Sequence, residues 1–161
     1  RLVFGSVAEA VLRGAESTPI LLLPPGAGFV DPTSGEVRLR RILAPIATPP
    51  HYHSLLERCQ RLMLSLGLDR VEGRLLHVEG RGRGLDPPPF PPGPLDWDLH
   101  VVAESADVKK AILEEIDSCS PDLVVMTTRG PRGLAGALLG SLTEQILRQA
   151  SCPVLALAAS A

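Results

Sequence analysis

Apolar residues along this chain of 161 residues gather in five short, continuous runs: "PILLL" (19–23), "RILAPIA" (41–47), "GRLLHV" (73–78), "DLVVMTT" (122–128) and "PVLALA" (153–158). Continuous rather than alternating runs predict strands covered on both faces, as in a parallel sheet. A weaker run, "WDLHVVAE" (97–104), puts Leu99, Val101 and Ala103 on one face and predicts a further strand. Between most runs the apolar spacing turns helical. "SLLERCQRLMLSLGL" aligns Leu55, Cys59, Leu62 and Leu66, with Gly67 as a C-cap. "SADVKKAILEEIDS" offers Ser105 as N-cap and turns Val108, Ala111, Ile112 and Ile116 to the core, with Pro121 beyond its end. Lys109, Lys110, Glu114 and Glu115 read as the solvated face of that helix. "SLTEQILRQA" buries Leu142, Ile146 and Leu147. Strands alternating with helices predict an α/β fold with a mostly parallel sheet.

Two stretches interrupt the alternation. Residues 24–40 are rich in turn formers and read as a linker. Residues 80–96 carry six prolines between Pro87 and Pro94, which predicts an extended connection where a parallel crossover normally runs through a helix. The chain also repeats itself. "GSVAEAVLRGAESTPILLL" (5–23) and "GSLTEQILRQASCPVLAL" (140–157) share the Gly-Ser start, a Glu three residues after the Ser, Leu-Arg, Ala, Pro and a closing apolar run. The expected division is therefore the end of one domain over 1–25, a linker over 26–38, and a second domain over 39–161 with a Pro-rich insertion at 86–94. A lone helix and strand cannot bury their apolar faces. Ile20, Leu21 and Leu23 are accordingly expected to pair with Val154, Leu155 and Leu157 of the last strand, within a tandem pair or between copies. Opening on Arg1 rather than Met predicts that further sequence precedes it.

Composition narrows the function classes. A formal net charge of −2 and 3% aromatic residues favour no nucleic-acid partner, lacking both a basic face and stacking platforms. No apolar run approaches the ~20 residues of a membrane-spanning helix, so no membrane partner is expected. The three cysteines, Cys59, Cys119 and Cys152, are far apart and form no CxxC pair, which fits a reduced cytoplasmic location.

The stretch 127–141, "TTRGPRGLAGALLGS", combines a strand, a glycine-containing loop and a helix start. First-turn amides have no backbone partner and the helix dipole favours negative charge, while glycine lets a phosphate approach the backbone. The alternative is structural: Ser141-x-x-Glu144 is a capping box, repeated as Ser6-x-x-Glu9, and needs no ligand.

The block "DLVVMTTRGPRGLAGALLGSLTEQILRQASCPVLAL" resembles the C-terminal signature of the universal stress protein family, an apolar strand followed by G-x2-G-x9-G-S/T, a helix and a "CPVL" strand. "RRILAPIATPPHYHSLLERCQRLMLSLGL" resembles that family's first strand and helix, and "GRLLHV" its second strand. The resemblance spans residues 39–158, with 5–23 as the same signature from a preceding domain, so a tandem member is implied. It implies an open five-stranded, mostly parallel α/β sheet, dimerisation through the last strand and, in one branch, ATP with magnesium at the carboxyl ends of the strands. The nucleotide-binding positions it implies here are Pro45, Ile46 and Ala47 on the first strand, Val78 on the second, and Met126, Thr127, Gly130, Arg132, Gly140, Ser141, Leu142 and Thr143 around the glycine motif. The sequence departs from the family pattern at Thr127, which replaces the first glycine, and at Ala47, which replaces an acidic residue used on the nucleoside. A lost charged acceptor removes about 1.5–3 kcal/mol. A β-branched Thr127 resists positive φ.

Other candidate residues read more plainly. His51 and His53 form an HxH pair without further metal ligands nearby; His77 reads as a core histidine; Arg129 could contact phosphate as Arg132 could. The expected function is a stress module binding adenine nucleotide through a partly degenerate G-x2-G-x9-G-S motif. The alternative is a pairing module that binds no nucleotide. With no Walker lysine and no motif-placed carboxylate, hydrolysis is at most a weak ATPase activity, and no catalytic residue is assigned.

Overall fold

The computed structural model describes residues 18–46, 51–79, 89–103, 107–128 and 141–158. Each continuous apolar run forms a strand: β1 (Ile20–Leu22), β2 (Arg41–Ile46), β3 (Val71–Val78), β5 (Leu123–Thr128) and β6 (Val154–Ala158), and the weaker run forms β4 (Leu95–Val102). The helices are α1 (His51–Ser65), α2 (Val108–Cys119) and α3 (Ser141–Gln149). The sheet runs β1-β6-β5-β2-β3-β4. All neighbouring pairs are parallel except β1 with β6. The sheet thus has six strands rather than the five expected. The sixth is β1, which pairs antiparallel along the edge of β6, with Ile20 opposite Ala156, Leu21 opposite Leu155 and Leu22 opposite Val154.

Side-chain alternation along the strands divides the interior into two clusters, one per face. On the α1 face, Ile42, Ala44, Leu75, Trp97, Val125 and Leu155 meet Leu55, Leu56, Cys59 and Met63. On the other face, Leu43, Leu76, Val124, Met126 and Val154 meet Ile112 and Ile116 of α2 and Ile146 and Leu147 of α3. Close packing on the first face depends on a missing side chain. A Cβ on Gly73 would lie 2.4 Å from Trp97 Cε3, so only glycine lets the indole lie against β3.

Helix α1 turns Tyr52, Leu55, Leu56, Cys59, Gln60 and Met63 inward, a stripe rotated from the expected one so that Leu62 and Leu66 are only half-buried. It ends as expected at Gly67, with φ 68° and a bond from Leu68 N to Met63 O. Helix α2 differs from expectation at both ends of its first turn. Its N-cap is Asp107, whose carboxylate accepts from Lys109 N and Lys110 N, and Val108 is 43% exposed. Residues 29–39 are docked: Val30 bridges Val37, Asp31 Oδ1 accepts from Thr33 N and Ser34 N, and Phe29, Val37 and Leu39 pack on the α1-face cluster. Those backbone amides hold the Asp31 carboxyl below its ordinary value.

The segment leading into β4 is secured by one side chain. Gln60, buried on α1, donates from Nε2 to Pro91 O at 2.9 Å and to Leu95 O at 3.2 Å, and its Oε1 accepts from Leu95 N at 3.0 Å. A primary amide is the one uncharged side chain that can donate twice and accept at once here. Beside it, Pro94 O accepts from Val71 N, completing the start of the β3–β4 ladder.

Two consequences can be measured. Gln60→Leu leaves several buried backbone groups unpaired, and stability measured by urea unfolding is expected to fall by about 3 kcal/mol. A change within about 0.5 kcal/mol would mean that the clamp contributes little. Burial also pushes the Cys59 thiol from 9.0 up to about 12. Between those values only the unfolded chain releases the proton, so stability is whole below pH 9 and is lost as pH rises toward 12. The expected slope from this thiol is about 1.4 kcal/mol per pH unit, absent in Cys59→Ala. Equal alkaline slopes for the two proteins would exclude it.

Candidate functional site

From the central strand β2 the chain moves outward to β3 and β4 on one side, and through β5 to β6 on the other. The carboxyl ends of β2 and β5 therefore diverge at the switch point of the sheet, the place where open α/β sheets hold ligands. What levels these two ends lies at the opposite edge. Asp122 Oδ2 accepts from Arg40 N at 2.7 Å and Arg41 N at 2.9 Å, and Asp122 N donates to Arg41 O at 2.9 Å. The ladder then pairs Ile42 with Leu123 and Leu43 with Val124. Continued along parallel strands, this register brings Ile46 level with Thr127.

Several sequence-derived site residues meet at that edge. Pro45 and Ile46 end β2, Val78 ends β3, and Met126 and Thr127 stand near the end of β5. Ile46 and Met126 are buried, while Pro45, Val78 and Thr127 are half-buried. Ser141 opens α3, followed by half-buried Leu142 and buried Thr143. Ala47, Gly130, Arg132 and Gly140, like Arg129, lie outside the described residues. For Thr127 the run 122–128 predicts a strand position. It lies within β5, paired with Leu157, and Ser120 is the only non-glycine residue at positive φ among the described residues. A β-branched side chain suits such a backbone.

His77 was read as a core histidine, and it is buried one residue from the end of β3, directly across the ladder from Ile46. Its Nδ1 lies 3.4 Å from Ile46 O. Neither Gln60 nor Glu115 stood out in the sequence as a buried polar group. Glu115 was expected on the solvated face of α2, yet it is 6% exposed and points at the sheet. It accepts from Arg74 Nη1 at 2.8 Å and contacts His100 Nδ1 at 2.9 Å. The Glu115 hydrogen bond raises the Arg74 guanidinium above its ordinary value. Spacing carried the missing signal: position 115 follows Ala111 by four and Ile112 by three, on the buried stripe. This ion cluster lies on the α2 face and binds helix to sheet, away from the carboxyl edge.

Cys59, Cys119 and Cys152 are buried free thiols. Burial raises all three, Cys152 to about 11, so none has thiolate character near neutrality. Among the described residues no three His, Cys, Asp or Glu side chains come together to hold a metal, and no helix is long and apolar enough to cross a membrane.

The sequence profile described as "Universal stress protein family" matches residues 97–158, from the middle of β4 to the end of β6. Over that stretch the chain is similar to proteins of this family. A universal stress protein of Methanocaldococcus jannaschii is 37% identical over 62 residues, which cover 37% of this chain and 36% of that protein. The crystal structure of a universal stress protein from Archaeoglobus fulgidus superposes with a TM-score of 0.65 at 18% identity, over 98% of this chain and 56% of that one. A universal stress protein family member from Arabidopsis thaliana with AMP bound gives 0.52 at 16% identity, over 76% of this chain and 93% of its own. At such identities the structural likeness establishes the fold. The chain spans about a third to just over half the length of the first two relatives.

Proposed function

We propose that this universal stress protein-like chain binds an adenine nucleotide at the carboxyl edge between β2 and β5, with ATP and magnesium as the ligand to test first. The observation that carries this reading is the meeting of two features at one place. The T-x2-G-x9-G-S stretch, the family pattern with Thr127 at its first glycine, links β5 to α3, and its strand ends at the topological switch point. Phosphate at the start of α3 would meet its first-turn amides, and Ile46 at the end of β2 supplies apolar surface for a base. The AMP in the Arabidopsis relative supports the ligand class. The described residues offer no protein cage for magnesium, so the ion would ride on phosphate oxygens and water. Three buried free thiols support a reducing cytoplasm as the setting.

Isothermal titration of ATP with magnesium into the whole chain, beside Ala47→Asp, Thr127→Gly, tests the reading. Micromolar binding is expected for the unaltered chain, tightening about 10- to 100-fold when the acceptor is restored. Absence of heat from both proteins would overturn it.

A second reading, a pairing module without nucleotide, is favoured by the register of β1 on β6. By the internal repeat, Ile20, Leu21 and Leu22 correspond to Val154, Leu155 and Ala156. The ladder pairs Ile20 with Ala156, Leu21 with Leu155 and Leu22 with Val154, so each position faces the equivalent of its own mirror position. Such a two-fold register is self-complementary, the requirement for pairing equivalent strands in tandem domains or between copies. Under this reading, Ile20→Lys with Leu22→Lys displaces β1, and the freed β6 edge takes a second chain. Sedimentation should then show a dimer; an unchanged mass with β1 displaced would sink the reading.

A further inference from the structure

We propose that the open edge of β4 pairs antiparallel with the same edge of a second copy of this chain, about a two-fold axis at Leu99. β4 ends the sheet on the side opposite β1 and pairs only with β3. The ladder runs unbroken from Val71 opposite Leu95 to Val78 opposite Val102. Along it Val71 N donates to Pro94 O and Glu79 N to Val102 O, so the even-numbered residues of β4 turn their backbone groups toward β3. The odd-numbered ones turn theirs outward. Leu95 follows this alternation: its N–H and C=O bond the Gln60 side-chain amide, at 3.0 and 3.2 Å. Gln60 thus stands in for a partner strand at the first rung of this edge. Trp97, Leu99 and Val101 carry the rungs beyond it, and among the described residues nothing bonds to their outward backbone groups.

An unpaired edge is a template for another strand, but the groups along this one select a register. Rungs form where outward-facing residues stand opposite one another, so odd-numbered residues must pair with odd. With Leu99 opposite the partner's Leu99, Trp97 meets the partner's Val101 and the ladder stops short of Gln60. The same alignment sets Asp98 opposite the partner's His100, and the reverse, in non-hydrogen-bonded pairs whose side chains approach closely. Asp98 and His100 are both exposed. His100 Nδ1 lies 2.9 Å from Glu115 Oε2, so a protonated ring donates from Nδ1 to Glu115 and from Nε2 to the partner's Asp98. Centred on Asp98 instead, the pairing would set two aspartates face to face and need the Leu95 groups that Gln60 already holds. Centred on His100, it would set two histidines face to face. Like charges directly opposite destabilise a ladder. On the α1 face Val101 is 41% exposed and Leu99 half-buried, and the pairing covers both beside Trp97. So short an interface is weak, with a dissociation constant expected at about 0.1–1 mM.

Amide hydrogen exchange of the whole chain, followed by NMR at about 20 μM and about 1 mM, tests the pairing. At the higher concentration the amides of Trp97, Leu99 and Val101 should exchange about two- to fourfold more slowly, while those of Asp96, Asp98 and His100, turned toward β3, keep their rates. In a mixture of isotope-labelled and unlabelled chain, an intermolecular Hα–Hα contact should join Asp98 to the partner's His100. Val101→Pro removes an N–H that has no partner within the described residues, and proline is tolerated at such edge positions. The fold, checked by circular dichroism, should persist in that variant while the concentration dependence disappears. Asp98→Lys should weaken association about tenfold. Fast exchange of the odd-numbered amides at both concentrations would mean that no strand pairs there, and slow exchange at both that the chain covers its own edge; either overturns the inference. Association that both variants leave unchanged belongs to another surface and overturns it too. None of these outcomes bears on nucleotide binding.

Discussion

One carboxylate aligns the two central strands of the sheet. Asp122 accepts the amides of both Arg40 and Arg41, and its own amide donates to Arg41 O, so the starts of β2 and β5 are held together across 81 residues of chain. A strand cannot slip by one residue without turning its apolar side chains to the wrong face. Ile42 stands opposite Leu123 and Leu43 opposite Val124 because Asp122 holds a junction beside them. The register of β2 on β5 is therefore set by a contact at the edge opposite their carboxyl ends.

Two further buried polar groups divide the work on the two faces. On the α1 side, Gln60 satisfies the backbone where the chain enters β4. On the α2 side, Glu115 ties helix to sheet through Arg74 and His100. Apolar packing alone is tolerant of small shifts, whereas a buried amide or carboxylate is satisfied in one arrangement. The two groups differ in energetic character. Gln60 is neutral and its bonds are enclosed. Glu115 is a buried charge whose partners are 39% and 47% exposed, so desolvation offsets much of its attraction to them.

What the sequence revealed depended on how local the deciding physics was. The five continuous runs were legible because burial on both faces leaves an unbroken apolar segment, and Gly67 because a helix end needs positive φ. The β4 signal was weak because it is an edge strand, with Asp96, Asp98 and His100 exposed. Glycine spacing pointed to the carboxyl edge, and the apolar run 122–128 already placed Thr127 inside β5. Gln60 and Glu115 were illegible as buried groups because their partners come from strands far along the chain. Asp107 displaced Ser105 as the N-cap because its carboxylate reaches two first-turn amides, a choice between neighbouring candidates that composition does not settle.

The sixth strand follows from the same reasoning applied to an edge. Without β1, the amides and carbonyls on one side of β6 would face water, an exposed parallel edge open to any passing strand. β1 is only three residues long, and Leu21 stays 43% exposed, so it contributes little apolar burial of its own. Its main contribution is a ladder whose register mirrors the internal repeat about Leu21 and Leu155. The repeat is a fact of sequence and the register a fact of structure. Neither implies the other, because a three-residue strand could pair at several offsets or run parallel. Their coincidence sets equivalent positions of the repeat opposite one another about Leu21 and Leu155.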